Sequence, residues 1–149
     1  MHLVNLIDKQ NIVMNLDVRT REEAIKSLSV KLHDNGFISD TDRFYQDVLQ
    51  RESYTTTGIG NGIAIPHGKS KFVNETTVIF ANTEHEIEWN SLDGSKVKII
   101  FLMAVAPENQ GNDHLQVLAK IASKLMDDDF VKAIKQAKTP DQVVKALSK

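Results

Sequence analysis

The sequence predicts an α/β fold: a single domain, residues 1–149, in which a mixed β-sheet of four or five strands is flanked by α-helices on both faces. Three observations carry this prediction. Strand-like and helix-like patterns alternate along the chain. The run from Ile99 to Ala106 is continuously apolar, as in a central strand covered on both faces. The helical segments on either side of it each carry one apolar stripe, the pattern of helices laid against a sheet. A chain of 149 residues is about one domain long and buries roughly 70% of its unfolded surface, enough to fold without staples.

The elements follow in order. Asn11-Ile-Val-Met-Asn-Leu16 is a strand rich in β-branched and apolar residues, and Thr20-Arg-Glu-Glu23 is a capping box that opens a helix. Ala24, Ile25, Leu28 and Leu32 share one face of that helix, and Asn35-Gly36 stops it. A second helix starts between Asp40 and Asp42, where short polar side chains cap orphan amides, buries Phe44, Val48 and Leu49, and exits around Arg51.

Ile63-Ala64-Ile65 is a short buried strand. Pro66, which has no N–H, ends its pairing and leaves His67 just past the strand end in a stiff backbone. Thr76 to Ala81 and Glu86 to Trp89 read as two further strands, the second joined through the Asp93-Gly94 turn to the strand from Val97 to Val105. A polar loop at 108–113 leads into a helix with His114 in its first turn and Leu115, Leu118, Ile121, Ala122 and Leu125 as its inward stripe. Asp127-Asp-Asp129 caps a short helix running through Ile134. Thr139-Pro140 opens the last helix, with Val143, Val144 and Leu147 apolar.

Composition removes several function classes. The 18 basic and 20 acidic residues are interspersed and give a net charge of −2, so the broad basic field of a nucleic-acid binder is missing. Zero cysteines exclude a disulfide framework and any thiolate metal site, which fits a reducing compartment, and the cytoplasm is the default expectation. The N-terminus lacks the pattern of a signal peptide, and no window approaches the length of a membrane span. Small anions and proteins are the partners that remain.

The chemistry concentrates in residues 51–68. Gly58, Gly60 and Gly62 free the backbone for positive φ and for close approach to another chain or an anion. The same stretch holds Arg51, the hydroxyls of Thr55, Thr56 and Thr57, and His67. His2, His33 and His85 have no such setting and read as ordinary surface or core residues, whereas His67 follows a proline beside a glycine-bearing loop. His114 is either a packed helix residue or, at a helix N-terminus that presents free amides to anions, a neighbour of a phosphate. Arg51 is either a solvated helix-end charge or a planar fork for phosphate.

Other chemistries fit less well. The glycines at 58 to 62 do not form a dinucleotide fingerprint, whose third glycine falls on Ile63, and no Walker loop is present. Neither His67 nor His114 has a second histidine at i+3 or i+4, so a metal site is not expected. Among Ser53, Thr55 to Thr57 and Ser70 there is no Gly-x-Ser-x-Gly elbow of a hydrolase.

Glu52, six variable residues, Ile59-Gly60, two residues and Ile63-Ala64-Ile65-Pro66-His67-Gly68 resemble the type 2 enzyme IIA signature of the phosphoenolpyruvate-dependent sugar phosphotransferase system, the fructose/mannitol class. The similarity continues through Trp89, Asp93-Gly94, Ala106-Pro107 and Asp113-His114-Leu115-Gln116, and so spans essentially the whole chain. The resemblance implies that His67 carries the phosphoryl group on its tele nitrogen, a detail the residues themselves leave open. It places the family's second active-site histidine on His114 and its arginine on Arg51.

By the same resemblance the phosphoryl group arrives from the histidine-containing phosphocarrier protein. It leaves to a cysteine of enzyme IIB, and through it serves a membrane IIC permease. No cofactor is implied. The amides around Asp113 and the hydroxyls of Thr55, Thr56 and Thr57 are the expected further phosphate donors. His114-Leu-Gln-Val-Leu-Ala-Lys-Ile-Ala122 is similar to fructose-type members, which favours a transport carrier for fructose or a related sugar. The same signature also serves a regulatory phosphoprotein like the nitrogen-related branch, in which phosphorylation switches binding to other proteins. A third alternative, a sensor domain of a larger transcriptional regulator, fits less well because both termini read as complete.

Overall fold

The computed structural model describes residue 7 and residues 9–107 and 113–148, with the backbone alone for 113–115. Of the polar loop expected at 108–113, residues 108–112 lie outside the described residues and Asp113 opens a helix; the side chains of Asp113, His114 and Leu115 also lie outside them. Six strands, β1 (Ile12–Leu16), β2 (Gly58–Gly60), β3 (Ile63–Ala64), β4 (His67–Lys69), β5 (Thr77–Ile87) and β6 (Val97–Val105), combine with helices α1 (Arg21–Asp34), α2 (Thr41–Glu52), α3 (Asp113–Leu125), α4 (Asp128–Gln136) and α5 (Pro140–Leu147).

The helix starts are set by side chains that satisfy orphan amides. Thr20 Oγ1 accepts from the Glu23 amide at 3.0 Å, Asp40 Oδ1 from the Arg43 amide at 3.0 Å, and Thr139 Oγ1 from the Gln142 amide at 3.2 Å. At the end of α1, Gly36 takes a φ of +85°, the left-handed turn that follows a helix.

The strands form one mixed sheet in the order β1-β5-β6-β3-β2, with β4 also paired to β6. β6 lies at its centre. It runs antiparallel to β5 on one side, with Phe80 opposite Phe101. On its other side it pairs in parallel first with β3 (Ile63 beside Ile99) and then with β4 (His67 beside Met103). Alternation along β5 and β6 divides the core into two layers. Ile79, Ala81, Ile100, Leu102 and Ala104 pack with Leu28, Leu32, Phe44 and Val48 of α1 and α2, while Val78, Phe80, Phe101, Met103 and Val105 pack with Val117, Ile121, Phe130, Ile134 and Val143 of α3, α4 and α5. Helices therefore cover both faces, as the apolar stripes predict.

Three local expectations change. Among the described residues the sheet has six strands instead of four or five, because residues 58–69 supply three short ones where one is expected. The segments expected as separate strands at Thr76 to Ala81 and Glu86 to Trp89 are largely one strand, β5. It runs through the polar stretch Asn82 to Glu86 with a register shift against β6, and Trp89 lies beyond its end, buried in the core. In α3 the inward stripe centres on buried Val117 and Ile121, and Ala122 is exposed. An alanine has little apolar surface to lose by facing water, and the longer valine takes the inward place.

Candidate functional site around His67 and Arg51

Pro66 interrupts the edge that β3 and β4 share along β6, but it does not end it. Lacking an N–H, Pro66 contributes only its carbonyl, which accepts from the Met103 amide at 3.0 Å. Pairing resumes at once, so His67 is the first residue of β4 and not, as expected, a residue beyond the last strand pairing. Its backbone is held by a ladder, which fixes the imidazole more firmly than a loop position would. His67 is half-buried, and its Nδ1 lies 3.0 Å from the carbonyl oxygen of Ile65. A carbonyl oxygen only accepts, so the neutral ring carries its proton on Nδ1 and its lone pair on Nε2.

The next residue brings Arg51 to this strand. Gly68 is buried under α2, where an added Cβ would fall 2.9 Å from Val48 Cγ2 and 3.3 Å from the Val48 amide nitrogen. Only a glycine lets the helix lie that close. Arg51 follows Val48 by about one turn and occupies the last turn of α2. The result is a surface cleft of about 270 Å³ that Arg51, His67, Gly68, Lys69, Asp47 and Tyr54 help to line. Histidine and arginine, apart in the sequence, thus share one concavity.

The guanidinium is aimed by the loop that follows α2. Arg51 Nη1 donates to the Thr55 carbonyl oxygen at 3.0 Å. That loop is anchored beneath by Glu52, a carboxylate only 5% exposed, which accepts from the Thr57 amide at 3.2 Å, from the Thr57 hydroxyl and from Trp89 Nε1 at 3.4 Å. An Arg21 guanidinium nitrogen stands 4.0 Å from the same carboxylate. Three donors and a nearby cation are what a buried carboxylate needs to remain where it is.

The three threonines expected as phosphate donors do other work. Thr57 is buried in the Glu52 network, Thr56 Oγ1 donates to the Trp89 carbonyl oxygen at 2.9 Å and accepts from the Gly58 amide at 3.1 Å, and none of the three lines the His67 cleft. Thr55 enters the site through its carbonyl oxygen, as the partner of Arg51. His114 falls in the first turn of α3 and Asp113 opens that helix, but both side chains lie outside the described residues.

Glu52 opens the motif that ends at Gly68, and the sequence carries a signal for its role. An acidic residue in the last turn of a helix opposes the macrodipole, so it marks a specific compensating partner. Tyr54, 76% exposed beside His67, and Lys69, two residues along the same strand, had no comparable signal.

A roomier cleft of about 730 Å³ lies at the other end of β6, lined among others by Lys96, Lys98, Lys135, Lys138 and Asp93. Among the described residues no histidine or arginine lines it. Asp93 is a structural residue there: hydrogen bonds from Ser95 and from the Asn61 amide hold its carboxyl down at about 2.

The family model described as phosphoenolpyruvate-dependent sugar phosphotransferase system, EIIA 2, matches residues 5–149. The chain is 35% identical over 148 residues, 99% of its length, to the PTS system 2-O-alpha-mannosyl-D-glycerate-specific EIIABC component of Escherichia coli (strain K12), of which it spans only 22%. It is 32% identical to the nitrogen regulatory protein of Bradyrhizobium diazoefficiens, covering 99% of this chain and 95% of that one. The crystal structure of nitrogen regulatory protein IIA-Ntr from Neisseria meningitidis superimposes with a TM-score of 0.87 at 25% identity over 97% of both chains. With a family model matched over nearly its whole length and a fold shared with solved relatives, the chain belongs to the EIIA type 2 family of the phosphoenolpyruvate-dependent sugar phosphotransferase system.

Proposed function

We propose that this protein is a cytoplasmic phosphoryl carrier that accepts a phosphoryl group on His67 Nε2 from a histidine-containing phosphocarrier protein and passes it to a cysteine of an enzyme IIB. The observation that carries the proposal is the pairing, in one cleft, of Arg51 with an imidazole whose Nδ1 proton faces the Ile65 carbonyl oxygen. That tautomer puts the nucleophilic lone pair on Nε2. In the acceptance step Nε2 forms a bond to phosphorus as the donor's phosphorus–nitrogen bond breaks. In the onward step a IIB thiolate forms its bond to phosphorus, and the pair of electrons returns to Nε2. Each transition state spreads charge over three equatorial oxygens, so the protein's contribution is position and positive potential. Arg51 supplies both. His114 and the first amides of α3, around Asp113, are proposed as the remaining donors, with His114 orienting the transferring group.

Enzyme IIB and the membrane IIC permease are the proposed partners, supported by the EIIABC designation of a relative in which A, B and C parts share one name. Fructose or a related sugar remains the proposed cargo, on the similarity of residues 114–122 to fructose-type members. A regulatory role is the second proposal, supported by the likeness to two nitrogen regulatory proteins over nearly their full lengths.

One experiment tests the carrier role and separates the two. The protein is incubated with phosphoenolpyruvate, enzyme I and the phosphocarrier, the acid-labile mass increase is located by peptide mapping, and candidate IIB proteins are then added. Labelling of wild type and none of His67→Ala, with the fold intact, supports the proposal; equal labelling of both overturns it. Discharge onto a IIB protein supports transport, whereas a stable phosphoprotein that no IIB discharges supports regulation.

A further inference from the structure

We infer that Lys69 is a second cation of the transfer site, contacting the phosphoryl group carried by His67; this assignment rests on the phosphocarrier role proposed above. The geometry begins with the alternation of β4. Gly68 faces α2, where a Cβ would meet Val48 at 2.9 Å, so the residues on either side of it, His67 and Lys69, point together to the opposite face of the strand. Their Cα atoms are roughly 6.6–6.8 Å apart by strand geometry. A lysine's four-carbon stem covers that distance with its ammonium at the level of a group bound to the imidazole. Both residues line the cleft that Arg51 reaches from the end of α2.

Charge in the cleft argues the same way. Among the described residues Asp47 is the one carboxylate of the cleft, neither it nor Lys69 takes part in an ion pair, and Lys69 is exposed. Arg51 has one N–H committed to the Thr55 carbonyl, and its planar fork faces two oxygens of a dianionic phosphoryl group at most, so a further cation has an oxygen to meet beside the donors proposed from α3. An ammonium on a flexible stem suits this need, because the phosphoryl group moves between donor and acceptor and a point charge follows it without a fixed fork. Lys71, the next exposed lysine, is placed differently: its ammonium stands 5.4 Å over the Phe72 ring, and it does not line the cleft.

The test is single-turnover transfer from the phosphorylated phosphocarrier to the full chain, for wild type, Lys69→Ala, Lys69→Arg and Lys71→Ala. The expected result at saturating phosphocarrier is a rate about tenfold or more lower in Lys69→Ala. Lys69→Arg should recover most of that loss, and Lys71→Ala should stay within about twofold of wild type. In ³¹P spectra the phosphohistidine resonance should move in Lys69→Ala and not in Lys71→Ala. Thermal unfolding should be unchanged, since the side chain is exposed. A Lys69→Ala rate within about twofold of wild type, or equal losses in Lys69→Ala and Lys71→Ala, overturns the assignment, the second because it reduces the effect to net charge. Failure of the carrier role shows itself separately, as wild-type protein that takes no label on His67, and it overturns this assignment with it.

Discussion

Gly68 and Val48 touch so closely that a single added methyl group would stand 2.9 Å from Val48 Cγ2, with the Val48 backbone nitrogen 3.3 Å away. Gly68→Ala therefore forces α2 to give by a few tenths of an ångström, at a cost of about 1–3 kcal/mol in stability. Because Arg51 rides on the same helix, phosphoryl transfer to His67 should slow as well. Urea unfolding and single-turnover labelling measure the two effects. The coupling is expected to show in a double-mutant cycle: Gly68→Ala should cost less in a Val48→Ala background, where Cγ2 is gone. Additive costs would remove this contact as the device that sets the helix position.

Glu52 tests the floor beneath Arg51. Glu52→Ala leaves the Thr57 amide and hydroxyl without their buried acceptor and leaves the Trp89 indole N–H with the Thr57 hydroxyl oxygen alone. A loss of about 3 kcal/mol is expected, with Glu52→Gln intermediate because it keeps one acceptor oxygen but turns a second donor toward donors. Trp89 is the only tryptophan and is 1% exposed, so its fluorescence reports both the local environment and the unfolding midpoint. A fully stable Glu52→Ala with unchanged emission would show that water replaces the carboxylate at no cost.

The helices were legible because their signals are local. Thr20, Asp40 and Thr139 cap the amides their spacing predicts, and Pro140 opens α5 where a missing N–H is harmless. The strands are held by partners far along the chain, and there the sequence was a poorer guide. β4 is three residues following a proline, with nothing in its composition to mark it. It exists because the Met103 to Val105 edge of β6 is waiting for it. β5 was divided in two at Asn82 to Glu86 because a polar run interrupts the apolar pattern, yet backbone pairing does not depend on side-chain polarity where the strand emerges toward solvent.

The site divides along a similar line. In the proposed site, glycine, proline and histidine in sequence mark His67, and the helix exit marks Arg51. What could not be seen was direction. The hydroxyls of Thr56 and Thr57 turn away from the cleft because Trp89 and Glu52 offer buried partners, and those partners come from a strand exit and a helix end that the sequence does not bring together. Lys69 became visible only when Gly68 was seen to face α2, which fixes the side of β4 on which its neighbours lie.

Asp93 predicts a pH dependence. Its carboxyl is lowered from 3.8 to about 2, first by the Ser95 hydroxyl and amide and then by the Asn61 amide. A depressed carboxyl contributes stability that is fully present above its unfolded pKa and is lost as the pH falls through the folded one. Asp93→Asn should accordingly be less stable than wild type at neutral pH. The gap should hold down to about pH 4 and close between about pH 4 and pH 2. Urea midpoints of both proteins across that range measure it; a gap that stays constant to pH 2 would mean that shape, not charge, is what Asn61 and Ser95 recognise.

Arg51 separates position from charge within the proposed transfer site. Its Nη1 is tied to the Thr55 carbonyl oxygen at 3.0 Å, which orients the planar fork while other N–H groups remain for an anion. Lysine at this position keeps the charge but loses the fork and its second terminal nitrogen, which lets one end be anchored while the other works. Arg51→Lys and Arg51→Ala are therefore expected to fold normally and to slow transfer. The loss of one charge-assisted hydrogen bond, about 1.5–3 kcal/mol, corresponds to roughly 10- to 150-fold. If charge alone were at work, Arg51→Lys would match wild type and only Arg51→Ala would be slow. If the tether to Thr55 matters, Arg51→Lys falls closer to Arg51→Ala than to wild type, since an ammonium on a free stem has no fixed approach to the phosphoryl oxygens. Wild-type rates in both variants would leave Arg51 as a solvated helix-end charge, and the positive potential at His67 would then have to come from Lys69 and the first turn of α3.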